Sequence, residues 1–529
     1  YKFYLNYLIV FSSKKIIVNR NRFFNERALR KLMIFFWYLE TTVWILYNYL
    51  ILLKFYCINI HFSVYLYRLT IIKGVPMFSN KDEIAILKRL EKLAVHNDPI
   101  NPDLYKKYDV KRGLRNANGT GVLVGLTRIG DVVGYELKDG EKIAIPGRLI
   151  YRGYNVEDLI KDAEQNKQFG FEQCAYLLLF GELPTKEKLE RFTSYLGECR
   201  ILPENFTEDM IMKAPSQDIM NKMARGVLAS YSYDDDPENK SVGNVIRQCI
   251  QLIARFSTLA AYGYQAKRRY YDNKSMFIHN PKADLSTAES FLRLIRADKS
   301  YSRLEAETLD LALILHAEHG GGNNSSLTVH VVSSADTDTY SAIAAAVGSL
   351  KGSRHGGANI RVVEMMDELK ANVKDWSSEK EVSDYLYKIA KKDAYDKSGL
   401  IYGMGHAIYT ISDPREILLK AKAKELAKEK GFMEEFELYN MIERLAPSII
   451  QEVHNSNKKV CANVDFYSGF VYTMLNIPRE LFTPIFAISR IAGWSAHRIE
   501  EIVSGGRIYR PAYKNVSPER DFVPLANRK

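Results

Sequence analysis

The chain has 529 residues, 47% hydrophobic and 26% charged, with a formal charge of +11, a length and balance that imply two or three globular domains and exclude collagenous or wholly disordered classes. The charge suggests nucleic acid or anionic lipid until its distribution is read: residues 1–76 hold 11 Lys and Arg against Glu26 and Glu40, leaving 63 basic and 61 acidic residues elsewhere. The main body is therefore nearly neutral and lacks the basic footprint of a nucleic-acid binder.

Five cysteines, Cys57, Cys174, Cys199, Cys249 and Cys461, form no CxxC pair and no even framework, which fits free thiols in a reducing, cytoplasmic setting. Residues 34–53 make an apolar run of membrane-spanning length broken by Glu40. A second run, Phe55 to Ile72, carries His61 and Arg68, and a basic cluster (Arg20, Arg22, Arg27, Arg30, Lys31) precedes both. Two readings are open: a membrane anchor with positive-inside flanks, or translated non-coding sequence, given the dominance of Tyr, Phe, Ile, Asn, Lys and Leu. The second reading starts the protein at Met77.

From Lys81 to about Val95, apolar residues fall at helical spacing, closed by Asn97-Asp98-Pro99. Residues 120–151 carry β-branched runs punctuated by Asp139-Gly140 and predict one or two hairpins. Beyond Tyr154 almost everything reads as helix, with windows at 171–180, 185–199, 206–213, 216–230 and 242–262, and a helix over 287–296 opened by a Ser286/Glu289 capping box. A helix from Leu304 to His319 is expected to stop at Gly320-Gly-Gly322, with His319 at its C-terminus. Small residues from Thr339 to Leu350 suit close helix packing, and further helices are expected near 360–371, 414–430, 434–452, 466–475 and 479–503.

The chemistry-bearing residues sit in turns. His319 precedes three glycines, His355 lies in Arg-His-Gly-Gly-Ala-Asn, and His406 follows Gly403-Met404-Gly405, with Asp413-Pro414-Arg415 just beyond. Glycines let a backbone pass where a side chain would obstruct, a neutral imidazole can donate or accept a proton near neutrality, and a guanidinium fork suits a carboxylate. Asp465, Arg490 and Arg510 also lie in or beside turn sequences. Each histidine singly is more often structural. A zinc reading of His316 and His319 lacks HExxH and a matching carboxylate, and no GxSxG, Walker lysine loop or GxGxxG after a strand is present.

Six blocks together resemble the citrate synthase family: Gly147 to Val156, Ala175 to Pro184, His316-Ala-Glu-His319-Gly-Gly-Gly, Arg354-His355-Gly-Gly-Ala-Asn359, Gly403-Met-Gly-His406 through Arg415, and Asn463-Val-Asp465-Phe-Tyr-Ser-Gly469. The resemblance covers about residues 80–515; residues 1–76 have no counterpart. It implies a mainly α, two-domain helical fold with a small β-hairpin region near 120–151. A large domain of residues 77–355 and 471–529 would face a small one of 356–470, closing about hinges at Gly356-Gly357 and Ser468-Gly469. It further implies a transferase of the tricarboxylic acid cycle that condenses acetyl-CoA with oxaloacetate. The alternatives are propionyl-CoA as donor, giving 2-methylcitrate, or a non-catalytic binding member of the fold.

By position, the resemblance makes Asp465 the base for the acyl methyl group, His355 the donor to the enolate oxygen, and His406 the donor to the ketone. His319, Arg415 and Arg490 would bind oxaloacetate, with Arg510 reaching in from a second copy of the chain in a homodimer. Ser325 would orient His355 from behind. Coenzyme A would lie along Leu400, Ile401, Gly403, Met404 and Gly405, with Lys351, Arg354 or Lys397 meeting phosphate because Thr410 stands where the family is often basic. No metal and no permanently bound cofactor is implied.

Overall fold

The computed structural model describes residues 81–528 apart from 98, 117, 118, 140 and 458; the apolar basic extension, with both readings of it, lies outside the described residues. Among the described residues no helix is long and apolar enough to cross a membrane. The described residues divide into two compact units, 81–110 and 111–528. The first holds α1 (Lys81–Asn97), where helical spacing predicts a helix, and the short α2 (Asp103–Lys107).

The second unit opens with the only described sheet. Strands β1 (Gly130–Lys138) and β2 (Glu141–Tyr151) pair antiparallel with a shift between Val133 and Tyr135, and β3 (Tyr154–Asn155) adds a short third strand. Asp139 takes φ +53° in the two-residue link, the left-handed geometry that matches strand twist in a tight hairpin. The β-like run at 120–126 forms no strand: Gly121 makes one isolated bridge with Arg115, and Leu123 and Leu126 stay exposed. A lone extended run without a ladder partner gains nothing over solvated backbone.

The remaining regular elements are helical, as expected. Helices α3 (Val156–Gln165), α4 (Phe171–Phe180), α5 (Lys186–Cys199), α6 (Ile219–Ser230) and α7 (Val242–Tyr270) come first. The predicted α-helix at 206–213 is instead a π-helical turn, Thr207–Met212, where buried Lys222 donates to the carbonyls of Met210 and Ala214. Inserted side chains of this kind widen a helix locally. Helix α7 outruns its predicted end at 262 because Gly263 to Ala266 remain buried.

Helix α8 (Thr287–Ile295) starts on the expected capping box. Helix α9 (Arg303–His316) has a second box, Ser302 with Glu305, and ends three residues before His319. Its last carbonyls find tertiary donors: Tyr151 Oη–H donates to Ile314 O at 2.8 Å, and the Gly493 amide to Ala317 O at 3.2 Å. With its end satisfied from outside, the helix need not continue, and Gly320 turns the chain at φ +83°.

Next come α10 (Asn324–Ser333), α11 (Thr339–Lys351), α12 (Ala358–Asn372), α13 (Glu379–Ala390), α14 (Pro414–Lys430), α15 (Met433–Val453), α16 (Val464–Met474) and α17 (Phe482–Ser504). Helices α10 and α13 went unpredicted, and a separate 3₁₀ turn, Arg479–Leu481, precedes α17. Gly469 lies inside α16, where a Cβ would come within 2.5 Å of Val363 and 2.9 Å of the Asn359 carbonyl on α12. It is a close-packing residue in a continuous helix, at the position expected to bend.

Helix α17 is the axis of this unit. It is buried on nearly every face from Phe482 to Ile499 and packs against α4, α7, α9, α10 and α11. A fully buried helix must be apolar all round, and Ile485, Ile488, Ile491, Trp494 and Ile499 supply that, each large side chain contributing about 1.5–3 kcal/mol of burial. Three ionisable side chains, Arg490, His497 and Arg498, break the apolar surface of this helix and are themselves buried.

Candidate active site

Three turns, at His319, His355 and His406, three helix starts, those of α10, α14 and α16, and Arg490 from within α17 build the site, all in the second unit. The first tie is backbone. Gly405 N–H donates to Cys461 O at 2.7 Å, Asn463 N–H to Gly403 O at 2.9 Å, Asn463 Nδ2 to Gly405 O at 2.8 Å, and Met404 bridges Ala462. This short ladder joins the His406 turn to the start of α16, where Asp465 sits in the first turn behind the Asn463 N-cap. Gly403 has φ +81°, and a Cβ there would stand 2.7 Å from the Phe466 ring and 3.0 Å from its Cα. Gly403 thus leaves room for Phe466.

His406 has its proton fixed. Its Nδ1 accepts from the backbone N–H of Ile408 and of Tyr409, both at 3.1 Å, so the neutral ring carries its hydrogen on Nε2. Burial, with the Arg415 cation second, pushes its pKa down to about 4. It stacks on Tyr409 with centroids 4.7 Å apart, and His319 meets it edge-on at 5.1 Å. His319 is also neutral, held well below the usual histidine range by burial and then by Arg415, and its buried Nε2 has no hydrogen-bond partner. An unsatisfied buried ring nitrogen is costly, so a polar ligand that reached it would be favoured.

Asp413 organises the next pair. Its carboxylate accepts from Arg415 Nε at 3.0 Å, from Nη2 at 2.7 Å, and from the Val464 amide at 3.3 Å, pinning the start of α14 to that of α16. Burial opposes the Arg415 charge and Asp413 restores it, leaving the guanidinium firmly ionised. Arg490 enters from α17 with Nε donating to the His316 carbonyl. The Arg415 charge acts on His319, His406 and Asp465, and that of Arg490 on His319, His355 and Asp465, so the two guanidiniums tie the histidines and the carboxylate into one electrostatic cluster. Burial raises the Asp465 pKa to about 6 against the pull of Arg415. A carboxylate so placed is a stronger base than a solvated one while still largely ionised at neutral pH.

His355 is held differently. Its Nδ1 faces the Ser349 carbonyl at 3.1 Å, and its Nε2 faces Asn323 Nδ2 at 3.2 Å. A carbonyl only accepts, so the ring hydrogen is on Nδ1 and Nε2 accepts from the amide. The amide orientation is itself set, because Asn323 Oδ1 caps α10 by accepting from Ser325 N–H at 3.1 Å. Burial holds this ring below its ordinary range. Ser325 does not touch it: the hydroxyl donates to Ala346 O at 3.0 Å and meets Ser349 Oγ at 3.2 Å, so it reaches His355 only through Ser349.

Sequence reasoning missed Asn323, Tyr409 and Asp413. Asn323 directly follows the triple glycine and Asp413 directly precedes Pro414, both N-cap signatures. Arg510 is exposed and is not brought to this cluster within the single chain. Along the expected coenzyme stretch, Leu400 is exposed, Ile401 is buried, and the backbone of Gly403 and Gly405 is already spent on the ladder. His316 stacks on Phe486 at 3.7 Å and its Nε2 meets Tyr472 Oη at 3.2 Å, while its buried Nδ1 has no partner. The four described cysteines are free.

A family model described as the citrate synthase C-terminal domain matches residues 116–512. The chain belongs to the citrate synthase family. A citrate synthase of Haloferax volcanii is 33% identical over 427 residues, 79% of this chain and 99% of that protein. A 2-methylcitrate synthase of Shewanella oneidensis is also 33% identical, over 72% of this chain and 92% of its own length. Among solved structures, the citrate synthase of Thermoplasma acidophilum, in ternary complex with carboxymethyl coenzyme A and oxaloacetate, is 27% identical. It aligns with a TM-score of 0.63 over 79% of this chain and 99% of that one.

Proposed function

We propose that this chain condenses acetyl-CoA with oxaloacetate and hydrolyses the resulting thioester, releasing citrate and coenzyme A. Asp465 takes a proton from the acyl methyl group, and the enolate oxygen that develops is met by His355. The enolate carbon bonds to the ketone carbon of oxaloacetate while His406 Nε2–H gives its proton to the ketone oxygen. Water then cleaves the thioester and coenzyme A leaves as the thiol. His319 Nε2, Arg415 and Arg490 bind the diacid, with Arg510 of the partner subunit in a homodimer. Hydrogen bonds and guanidiniums supply the electrostatics without a metal.

The observation that carries this reading is the pair of backbone amides on His406 Nδ1, which leaves a neutral ring with one donor beside an unpartnered His319 nitrogen. His355 adds a condition. Its single N–H is engaged by the Ser349 carbonyl, so it must exchange that carbonyl for the thioester oxygen. We assign the exchange to closure of residues 356–470 over the rest, bending at Gly357 and at the 475–481 link.

Purified protein should release free thiol from acetyl-CoA only with oxaloacetate present; no such release from either acetyl-CoA or propionyl-CoA removes the enzyme reading. The propionyl-CoA reaction is the second reading, favoured by the Shewanella relative at equal identity. One methylene in an apolar pocket is worth only about 1–3 kcal/mol, so comparing the two thioesters in the same assay decides between them.

A further inference from the structure

A second polar cluster lies behind His319, buried at His497, His330 and Glu318 and unused by the chemistry above. His497, on α17, points Nε2 at Glu318 Oε1 at 3.1 Å and Nδ1 at His330 Nε2 on α10 at 3.0 Å. The outer nitrogen of His330, Nδ1, meets Glu501 Oε2 at 2.7 Å, and Glu500 Oε2 stands 3.8 Å from His497 Nδ1. Two imidazole nitrogens 3.0 Å apart need a hydrogen between them, since two facing lone pairs would repel. The carboxylates at both ends accept from the outer nitrogens. Two arrangements satisfy every contact, with the extra hydrogen on His497 or on His330; two carboxylates, Glu318 and Glu500, stand by His497 against Glu501 alone at His330, and this places it on His497, which donates to Glu318 and to His330 while His330 donates to Glu501. Burial lowers the His497 pKa, but Glu318 more than offsets it and raises it to about 9.

Glu318 immediately precedes His319, and its surroundings leave it little freedom. Its carbonyl accepts from Tyr151 Oη and its amide donates back to the same oxygen. A Cβ on Gly493 would fall 2.3 Å from Glu318 Oε2, and one on Gly130 would fall 2.6 Å from Glu318 Cγ. The glycines on α17 and β1 are thus what let this carboxylate be clamped between them.

We propose that His497 is a positioning residue for oxaloacetate binding: with His330 and Glu501 behind it, its imidazolium locks Glu318 and thereby aims the ring of His319. This rests on the role assigned to His319 above. Sequence spacing alone does not reveal it, because the three helices and turns involved meet only in the fold.

The test compares wild type with His497→Gln, His497→Ala and His330→Ala, reading kcat and the oxaloacetate KM at saturating acetyl-CoA and oxaloacetate Kd by titration calorimetry. Glutamine can still donate to Glu318, so His497→Gln should keep KM within about 3-fold, whereas His497→Ala should raise KM and Kd about 10-fold or more with kcat changed less than about 3-fold. That split is the signature of lost ground-state binding, which general destabilisation would not give. Should His497→Ala fail to fold, His330→Ala decides, since it leaves the Glu318–His497 pair in place: a KM and Kd rise of 3-fold or more supports the proposal and an unchanged value overturns it. A glutamine variant as impaired as the alanine one also overturns it. So does a stoichiometric divalent metal in the purified protein, because His330, His497 and Glu500 have ligand atoms within 4.8 Å of one another and a metal would replace the hydrogen between the rings. If wild type binds oxaloacetate without turnover, the functional reading fails while Kd still tests this one; absence of binding removes both.

Discussion

Replacing Asn323 with aspartate should cost more activity than replacing it with alanine, although aspartate is the better structural substitute. In the folded chain Asn323 Nδ2–H donates to His355 Nε2 while Oδ1 caps α10, so the amide keeps the ring hydrogen on Nδ1, the nitrogen assigned to the enolate. Alanine removes a neutral hydrogen bond worth about 0.5–1.5 kcal/mol, or roughly 2- to 13-fold in rate, together with about 1 kcal/mol of helix cap. Aspartate keeps the cap but accepts where the amide donated, which favours hydrogen on Nε2 through a charged bond of about 1.5–3 kcal/mol. The swing of about 2–4.5 kcal/mol predicts a kcat loss of roughly 30- to 2,000-fold. Thiol release at saturating substrates, with thermal melts on the same samples, gives the two orderings: stability should fall as wild type, Asp, Ala, and kcat as wild type, Ala, Asp. An aspartate variant within about 3-fold of wild type, or more active than alanine, would refute the tautomer argument.

Asp465→Ala should lower kcat by about 10²–10⁴-fold, the usual weight of a general base, with oxaloacetate Kd nearly unchanged; equal activity would show the base to be another group. Because burial raises the Asp465 pKa to about 6 and the base acts deprotonated, kcat should fall about tenfold per pH unit below pH 6, and an acid limb near pH 4 would contradict that environment. Glu305 is held to about 2, burial being outweighed by Arg296, Lys430 and the Ser302 amide. Its folded pKa lies below the unfolded value near 4.3, so its contribution, up to about 3 kcal/mol, is full above that value and is lost as pH falls toward 2. Urea unfolding should therefore show Glu305→Gln destabilised at pH 7 with the gap narrowed at pH 3.5. Gly403→Ala should unfold or inactivate the protein, since φ +81° and the Phe466 contact both exclude a Cβ; a folded, active alanine variant would mean the turn can relax.

Much of this was legible in the sequence because short local rules govern it. Gly181, Gly431 and Gly505 end helices in the left-handed conformation, Ser286 and Glu289 start one, and the histidines sit beside the glycines that shape their turns. What escaped depends on contacts far apart in the chain. Helix α9 stops at His316 because donors from Tyr151 and Gly493 take its carbonyls, and the 207–212 turn is opened by a lysine one helix away. The run at 120–126 has strand composition but no strand to pair with. Asn323 and Asp413 have the signatures of helix caps, and only the fold reveals that each cap also grips a neighbour, His355 in one case and Arg415 in the other.

The short backbone pairing of residues 403–405 with 461–463 has a kinetic consequence. It fastens His406 and Asp465 to a common frame, so in the proposed mechanism the ketone donor and the base would arrive together during closure. The imidazole at 355 is mounted outside that frame, and under the proposed mechanism its approach would act as the trigger. On that mechanism an acyl thioester bound early would find the base already beside it yet lack the partner that makes proton loss worthwhile, which would protect the thioester from wasteful exchange until the diacid is in place.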